Sequence, residues 1–309
     1  MKLTFVISSM EAGGAERVLS ILANHWAEEG WDITILTFTD APSFFDLHPS
    51  IKYTPLSIHW RARFAIQRFL NNFKRLWVLR RAIKKSDPQV VISFLVDINI
   101  HTLVSTIGLG LPIIVSERSE PNKYLYGSIW DKLGRWTFPL AAKVVSVTQS
   151  ADHYFEWLPK DKRRIIPNPV ISQGAHTDGF EVPKGVDPEK KWLVAMGRLT
   201  YVKGYDLLLS SFQKIANKYN DWQLIILGEG SLRPELENLR RTLNLEIQVV
   251  MPGRLKNPFP LLSKSQLFVV SSRYEGFVNS LGEAMACGLP VLSFDCPGGP
   301  REIIRHEIE

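Results

Sequence analysis

Cysteine is nearly missing from this chain: Cys287 and Cys296 are the only two in 309 residues. Two thiols cannot staple a small disulfide scaffold or complete a four-ligand zinc site, and their scarcity fits a reducing cytoplasm. Long apolar runs are missing as well, and without a stretch of 18 or more apolar residues nothing reads as a membrane-spanning helix. The run Leu3 to Ile7 gives way at once to Ser-Ser-Met-Glu-Ala-Gly-Gly, so it reads as a first β-strand, too short for a signal peptide. The dinucleotide fingerprint G-x-G-x-x-G is absent. His48, His59, His153, His176 and His306 show no metal-ligand spacing, and carboxylate clusters of the metal-binding kind are lacking. No metal and no cofactor is therefore expected.

Acid is missing from one place in particular. Residues 61–85 hold nine Lys or Arg and no Asp or Glu. Arg68, Lys74, Arg75, Arg80, Arg81, Lys84 and Lys85 interleave there with Phe64, Phe69, Phe73, Leu76, Trp77 and Ile83. Helical spacing puts Phe69, Phe73, Leu76 and Ile83 on one face. Two readings stay open: a core-packed helix with a solvated basic side, or a basic amphipathic helix that meets anionic lipid or a lipid diphosphate. Residues 1–170 hold 21 Lys and Arg against 15 Asp and Glu, while residues 171–309 hold 16 of each, so the whole net charge of +6 lies in the first half. No nucleic-acid recognition motif accompanies it.

What is present is alternation. Short apolar runs alternate with helical periodicity, as βαβ units with a parallel sheet require. Strands are expected at Leu3–Ser8, Asp32–Phe38, Val90–Phe94, Pro112–Val115 and Lys143–Val147, then near 192–196, 223–227, 247–250, 267–271 and 290–294. Helices are expected near 15–29, 63–86, 98–107, 124–141 and 149–157, then near 204–218, 232–243, 258–264, 279–287 and 300–305. Ile165 to Val170 reads as the last strand of a first domain. This gives an α/β chain of two Rossmann-like domains, 1–172 and 190–309, with a linker over 173–189. The second domain is expected to be incomplete at its end, because the sequence stops just after a helix start.

Three loops carry candidate chemistry. Between the buried strand at Leu267–Val270 and a helix from Leu281 to Cys287, Glu275 and Glu283 stand eight positions apart. Asn279 or Ser280 reads as the N-cap, and free N–H groups in that first turn would stabilise a diphosphate. Glu283 would then reach a ribose and Glu275 the group beyond the phosphates, although the same spacing also suits an ordinary capped helix. Arg198 and Lys203 sit on the Gly197–Gly204 loop, where two fixed cations can stabilise a departing diphosphate without a metal. Gly13 and Gly14 follow the first strand, where a glycine pair permits positive φ and lets a ligand approach backbone N–H groups. Asp97 and His101, just after the strand at Val90–Phe94, stand where loops line a cleft.

Four segments together, Met10–Arg17, Gly197–Gly204, Glu275–Glu283 and Asp295–Ile303, resemble the retaining nucleotide-sugar glycosyltransferases of family 4, whose fold is GT-B. The resemblance runs from about residue 3 to residue 305, and its nearest look is to bacterial enzymes that extend lipid-linked oligosaccharides and exopolysaccharides. It implies two domains facing a cleft and a metal-independent transfer of a hexosyl or N-acetylhexosaminyl group from a nucleotide-diphosphate sugar, UDP-linked. It implies catalytic roles for Arg198, Lys203 and Glu275. Donor contacts would come from Gly14, Gly197, Arg254, Gly276, Phe277, Asn279, Ser280, Leu281 and Glu283. Acceptor contacts would come from Gly13, Arg68, Lys74, Arg75 and Arg81. In many relatives a histidine follows the strand expected at Pro112–Val115; Glu117 and Arg118 stand there instead and are expected to touch the acceptor. The implied partners are a lipid-linked or polysaccharide acceptor and the anionic inner face of the cytoplasmic membrane, with no nucleic acid. A binding module of the same fold without turnover is the competing expectation.

Overall fold

The computed structural model describes residues 1–58, 64–119, 121, 128–170 and 179–304, without the side chains of 65, 66, 68 and 69. The chain forms two compact units, Met1–Pro169 and Val170–Glu309.

The first unit is built on an all-parallel sheet: β1 (Lys2–Ile7), β2 (Asp32–Thr37), β3 (Lys52–Pro55), β4 (Val90–Phe94), β5 (Ile113–Ser116), β6 (Lys143–Ser146) and β7 (Arg163–Ile165). The strand order is β3-β2-β1-β4-β5-β6-β7. Helices cover both faces, so β1 and β2 are near-continuous runs of buried residues. α1 (Gly14–Glu28) brings Val18, Leu19 and Ala23 against Phe5, Ile7, Ile33 and Ile35. α2 (Ala65–Ser86) and α3 (Val96–Thr106) bring Leu79, Ile83, Ile98 and Leu103 against Val6, Leu36, Val91 and Val115 on the other face. Right-handed crossovers that run in opposite directions along a sheet put their helices on opposite faces. α4 (Ile129–Thr137) runs into a 3-10 turn at Phe138–Leu140, and α5 (Gln149–His153) precedes β7.

Three expectations change here. β3 has no counterpart in the sequence reading, because an edge strand exposed along most of its length needs no apolar run. The closing strand is Arg163–Ile165, not Ile165–Val170, and it too is a polar edge. On α2 the buried side is Leu79 and Ile83 with Val78 and Ala82, while Phe73 and Trp77 are exposed.

The second unit repeats the plan with β8 (Lys191–Met196), β9 (Trp222–Leu227), β10 (Val249–Gly253), β11 (Leu267–Val270) and β12 (Val291–Ser293), all parallel in the order β10-β9-β8-β11-β12. α6 (Tyr205–Ala216) and α7 (Arg233–Thr242) pack Leu208, Leu209, Phe212 and Leu236 on one face. α8 (Phe259–Lys264) and α9 (Asn279–Ala286) pack Phe259, Leu262, Leu281 and Ala284 on the other, and α10 (Pro300–Ile303) follows β12. The linker expected over 173–189 is described from 179 onward. Phe180, Val182 and Val186 there pack into this second core, and Asp187 N donates to Gln223 Oε1 at 2.8 Å.

Each sheet reverses its strand order once, between β1 and β4 and between β8 and β11. In open α/β sheets, ligands bind outside the carboxyl ends of the strands at such a reversal.

Candidate functional site

At the β8/β11 reversal the strand-end loops line an open pocket, with Met196, Lys203, Tyr205, Ser272, Glu275 and Ser280 in its walls. The loop after β8 and the loop after β11 meet there. Lys203 Nζ donates to Glu275 Oε1 at 2.5 Å, and Ser272 Oγ donates to the same oxygen at 2.5 Å. The side chains of Lys203 and Glu275 are only 22% and 9% exposed, so solvent screens this ion pair less than a surface pair.

The two loops are clamped together. Ser271 Oγ donates to the Lys203 carbonyl at 2.9 Å, and Arg273 N donates to the Val202 carbonyl at 2.7 Å. The Arg273 guanidinium bonds the Tyr201 carbonyl, grips both oxygens of Asp206 at 2.8 and 2.6 Å, and stacks on the Tyr201 ring. That grip holds the Asp206 carboxyl below its usual range. Gly204 makes the approach possible: at φ +62°, a Cβ there would lie 2.1 Å from the Ser271 carbonyl oxygen. Gly228 does the same for the next loop, where a Cβ would lie 1.9 Å from the Gly197 carbonyl oxygen.

Tyr205 and Cys296 enter the site unannounced by the sequence reading. Burial first and then the charge of Glu275 push the Tyr205 hydroxyl up. The Cys296 thiol is pushed up to about 11 by burial and by Glu275, with Lys203 opposing. Both are neutral near pH 7. Cys296 arrives because Glu275 N donates to the Pro297 carbonyl at 3.0 Å, which folds the loop after β12 over Glu275. Its only sequence signal was its place in Asp295-Cys-Pro-Gly-Gly.

The remaining donor-side candidates spread out from this centre. Arg198 is exposed on the same loop, and its guanidinium has no acidic partner among the described residues. Gly197 N is tied to the Leu227 carbonyl at 3.0 Å. Gly276 and Phe277 pack against Gly299, where a Cβ would lie 2.9 Å from the Phe277 Cα. Arg254 is exposed just past β10, two strands away from β8. Glu283 is buried in α9 at 6% exposure, outside the pocket walls, and its charge helps raise the Cys287 thiol.

The expected helix cap is corrected. Val278 is the N-cap of α9 and no side chain caps it, so Asn279 and Ser280 are its first two helical residues. Asn279 N and Leu281 N already donate to the Phe277 and Val278 carbonyls, which removes them from the supply of free N–H groups. Leu281 is fully buried in the core.

In the first unit, Gly13 is the N-cap of α1 at φ −161° and Gly14 is the first helical residue, so neither occupies the positive-φ region expected of the pair. Glu117 is fully buried. Its Oε1 accepts from Arg118 N at 3.0 Å, Ser119 N at 2.9 Å and Ser119 Oγ at 2.5 Å, and burial raises its carboxyl pKa. Arg118 lies over the Phe94 ring at 4.6 Å and donates to Asn168; burial lowers it to about 10. Arg75 donates to the Ile58 carbonyl at 2.8 Å and to Asn72 at 2.9 Å. Lys74 and Arg81 are exposed, with Arg81 over the Trp77 ring at 5.5 Å, and the Arg68 side chain lies outside the described residues. His101 meets the Asp97 carbonyl at 2.6 Å and the Phe38 ring edge-on at 5.7 Å, and burial lowers its pKa. No group of three or more His, Cys, Asp or Glu that could hold a metal occurs among the described residues.

Two parallel α/β units, each with a reversal site, are the GT-B architecture. Sucrose-phosphate synthase from Thermosynechococcus elongatus shares the fold with a TM-score of 0.78 at 18% identity, over 99% of this chain and 84% of that one. Anabaena Alr3699/HepE, solved with UDP and glucose, does so with a TM-score of 0.73 at 16% identity, over 99% and 83%. Residues 12–173 match Glycosyltransferase Family 4 and residues 180–309 match Glycosyl transferases group 1. The chain belongs to this glycosyltransferase family. Among its relatives is the Campylobacter jejuni GalNAc-alpha-(1->4)-GalNAc-alpha-(1->3)-diNAcBac-PP-undecaprenol alpha-1,4-N-acetyl-D-galactosaminyltransferase, 29% identical over 308 residues, 99% of this chain and 82% of the enzyme.

Proposed function

We propose that the protein is a retaining, metal-independent glycosyltransferase that moves a hexosyl or N-acetylhexosaminyl group from a UDP-sugar to a lipid-linked saccharide. The observation that carries this is Lys203 against Glu275 in a pocket at a strand-order reversal. A cation there meets the diphosphate, and a carboxylate one contact away meets the sugar. The Campylobacter relative acts on an undecaprenol diphosphate saccharide, and the Anabaena neighbour holds UDP and glucose, which supports both substrate classes.

When the donor enters, Lys203 exchanges Glu275 for a phosphate oxygen, and Arg198 supplies a second cation. The bond from the anomeric carbon to the β-phosphate breaks with its electron pair on the phosphate, where the two cations stabilise the charge. The acceptor hydroxyl bonds to the same face of that carbon and its proton passes to the departing phosphate. Glu275, freed from Lys203, orients the sugar; Glu283 takes the ribose, and Arg254 flanks the base. Arg118 and the basic residues of α2 face the acceptor. Its saccharide is carried on an anionic leaflet, which places the protein at the inner face of the membrane; among the described residues, no helix is long and apolar enough to cross it.

The test is transfer from a panel of UDP-sugars to short-chain lipid diphosphate saccharides, with the product anomer read by NMR, with and without EDTA. The retained anomer at an undiminished rate in EDTA is expected. An inverted product, or loss of transfer that added Mg²⁺ restores, would overturn the mechanism.

A further inference from the structure

Tyr205 puts a hydroxyl where the fold asks only for hydrocarbon. It is the first residue of α6, is 4% exposed, and belongs to the core with Leu199, Leu208, Leu209 and Phe212. A phenylalanine ring would fill the same space. The Tyr205 hydroxyl has no hydrogen-bond partner among the described residues. A buried hydroxyl left unpaired costs stability, so packing does not account for this one.

The hydroxyl stands at the centre of the candidate site. A Cβ on Gly197 would lie 2.9 Å from it and 3.1 Å from the Lys203 Cε, so the missing side chain of Gly197 leaves room for both groups at one point. Tyr205, Lys203 and Glu275 share the pocket walls, and Glu275 is the charge that the hydroxyl senses. Burial and that charge keep the hydroxyl protonated, and therefore able to donate.

Glu275 has an uneven set of partners. Its Oε1 accepts from Lys203 Nζ and from Ser272 Oγ, while its Oε2 has no hydrogen-bond partner among the described residues. One carboxylate oxygen has room for two such bonds. When a donor phosphate draws Lys203 away, one place on Oε1 falls vacant in a side chain only 9% exposed. A mostly buried carboxylate that loses its cation is destabilised unless another donor takes that place.

We propose that Tyr205 is a positioning residue that takes over Glu275 when the donor takes Lys203: the Tyr205 hydroxyl donates to Oε1 in place of the ammonium, and Oε2 is left for the sugar. This rests on the proposed exchange of Lys203 from Glu275 to a phosphate oxygen and names the step that accompanies it. Lys203 carries its protons to the phosphate, Tyr205 keeps its own and shares it, and Glu275 stays ionised. Ser272 holds Oε1 throughout, so that oxygen has two donors before and after the exchange. The Cys296 thiol, also close to Glu275, is a weaker donor.

Tyr205→Phe keeps the ring and deletes the hydroxyl. Its thermal stability should equal or exceed the parent's, because the hydroxyl has no partner to lose. Its affinity for UDP, read by calorimetry, should stay close to the parent's. With UDP-N-acetylgalactosamine and UDP-glucose as donors, kcat should fall by about tenfold or more, as loss of one hydrogen bond to a charged group implies, with little change in KM. The same substitution in a Glu275→Ala background should cost little further turnover, because the two residues act as a unit.

A second measurement needs no transfer. Protein labelled with carbon-13 at the tyrosine ζ carbon is titrated with UDP, and the Tyr205 resonance is identified by its absence from Tyr205→Phe. UDP should shift that resonance in the parent and leave it in place in Glu275→Ala. A parent that binds UDP with no shift overturns the proposal. A shift that persists in Glu275→Ala also overturns it, in favour of direct contact between the hydroxyl and the phosphate. Equal loss of turnover from Tyr205→Phe with and without Glu275 does the same, in favour of a structural role. If the Glu275-dependent shift is seen in a protein that transfers no sugar, the exchange stands and the proposed function falls.

Discussion

Lys203 is held by a carboxylate 72 residues away, and this contact decides what its removal should do. Lys203→Ala takes away the cation proposed for the diphosphate and leaves the mostly buried Glu275 without its ion-pair partner. We expect turnover to fall by about 10²-fold or more, as for other electrostatic stabilisers, measured as steady-state transfer. Arg198→Ala should fall comparably while leaving thermal stability unchanged, since Arg198 is exposed on its loop. Parent-like rates in both variants would remove the assigned roles. Glu117 makes a different prediction. Its folded-state pKa is raised by burial, so the folded protein keeps a proton that the unfolded chain has released. Stability is therefore intact in the ordinary carboxylate range and falls as pH rises from there through the folded pKa. Glu117→Gln should remove that decline, seen as a urea midpoint that varies less than the parent's between about pH 5 and about pH 8. That Lys203 and Glu275 stand on strand-end loops was legible from motif spacing, and the structure brings the two to one pocket while Arg198 stays outside its walls. Tyr205, Ser272 and Cys296 were not, because nothing in a sequence says which side chains three strand-end loops press together.

At the scale of elements, the clamp between the loops after β8 and β11 has the largest consequence. Arg273 holds Asp206, the Tyr201 ring and two carbonyls of the facing loop without lining the pocket itself. Arg273→Ala should let Lys203 wander. We expect turnover to drop while the affinity for free UDP changes less, with faster amide exchange confined to residues 201–206 and 271–275. Equal effects on UDP affinity and turnover would show that the clamp serves binding alone. The βαβ alternation was legible because strands covered on both faces must be apolar runs. β3 and β7 were not, because edge strands exposed to water carry no such run. α2 was legible as a helix but its buried side was not. A helix with apolar residues on two sides does not say which one meets the sheet, and the structure buries Leu79 and Ile83 while leaving Phe73 and Trp77 outside.

Across the whole molecule, each unit has its own sheet and two cores of its own, so ligand effects can be read unit by unit. Adding UDP should slow amide exchange at the carboxyl ends of β8 and β11 and leave the first unit's core unchanged. Protection centred instead on the Gly13–Gly14 turn would reassign the donor to the first unit. The ion pair between Lys203 and Glu275 also bears on life among cellular anions. Glu275 already neutralises Lys203, so an anion cannot simply fall into a bare positive charge. It must outbid an internal carboxylate that is covalently fixed in place and therefore present at very high effective concentration. A lone phosphate meets Lys203 and little else, whereas a diphosphate that also reaches Arg198 gains a second contact for the same displacement. On the proposed roles of Lys203 and Arg198, the pocket would discriminate by the number of charges an anion can satisfy at once, and inorganic phosphate should compete far less well than UDP.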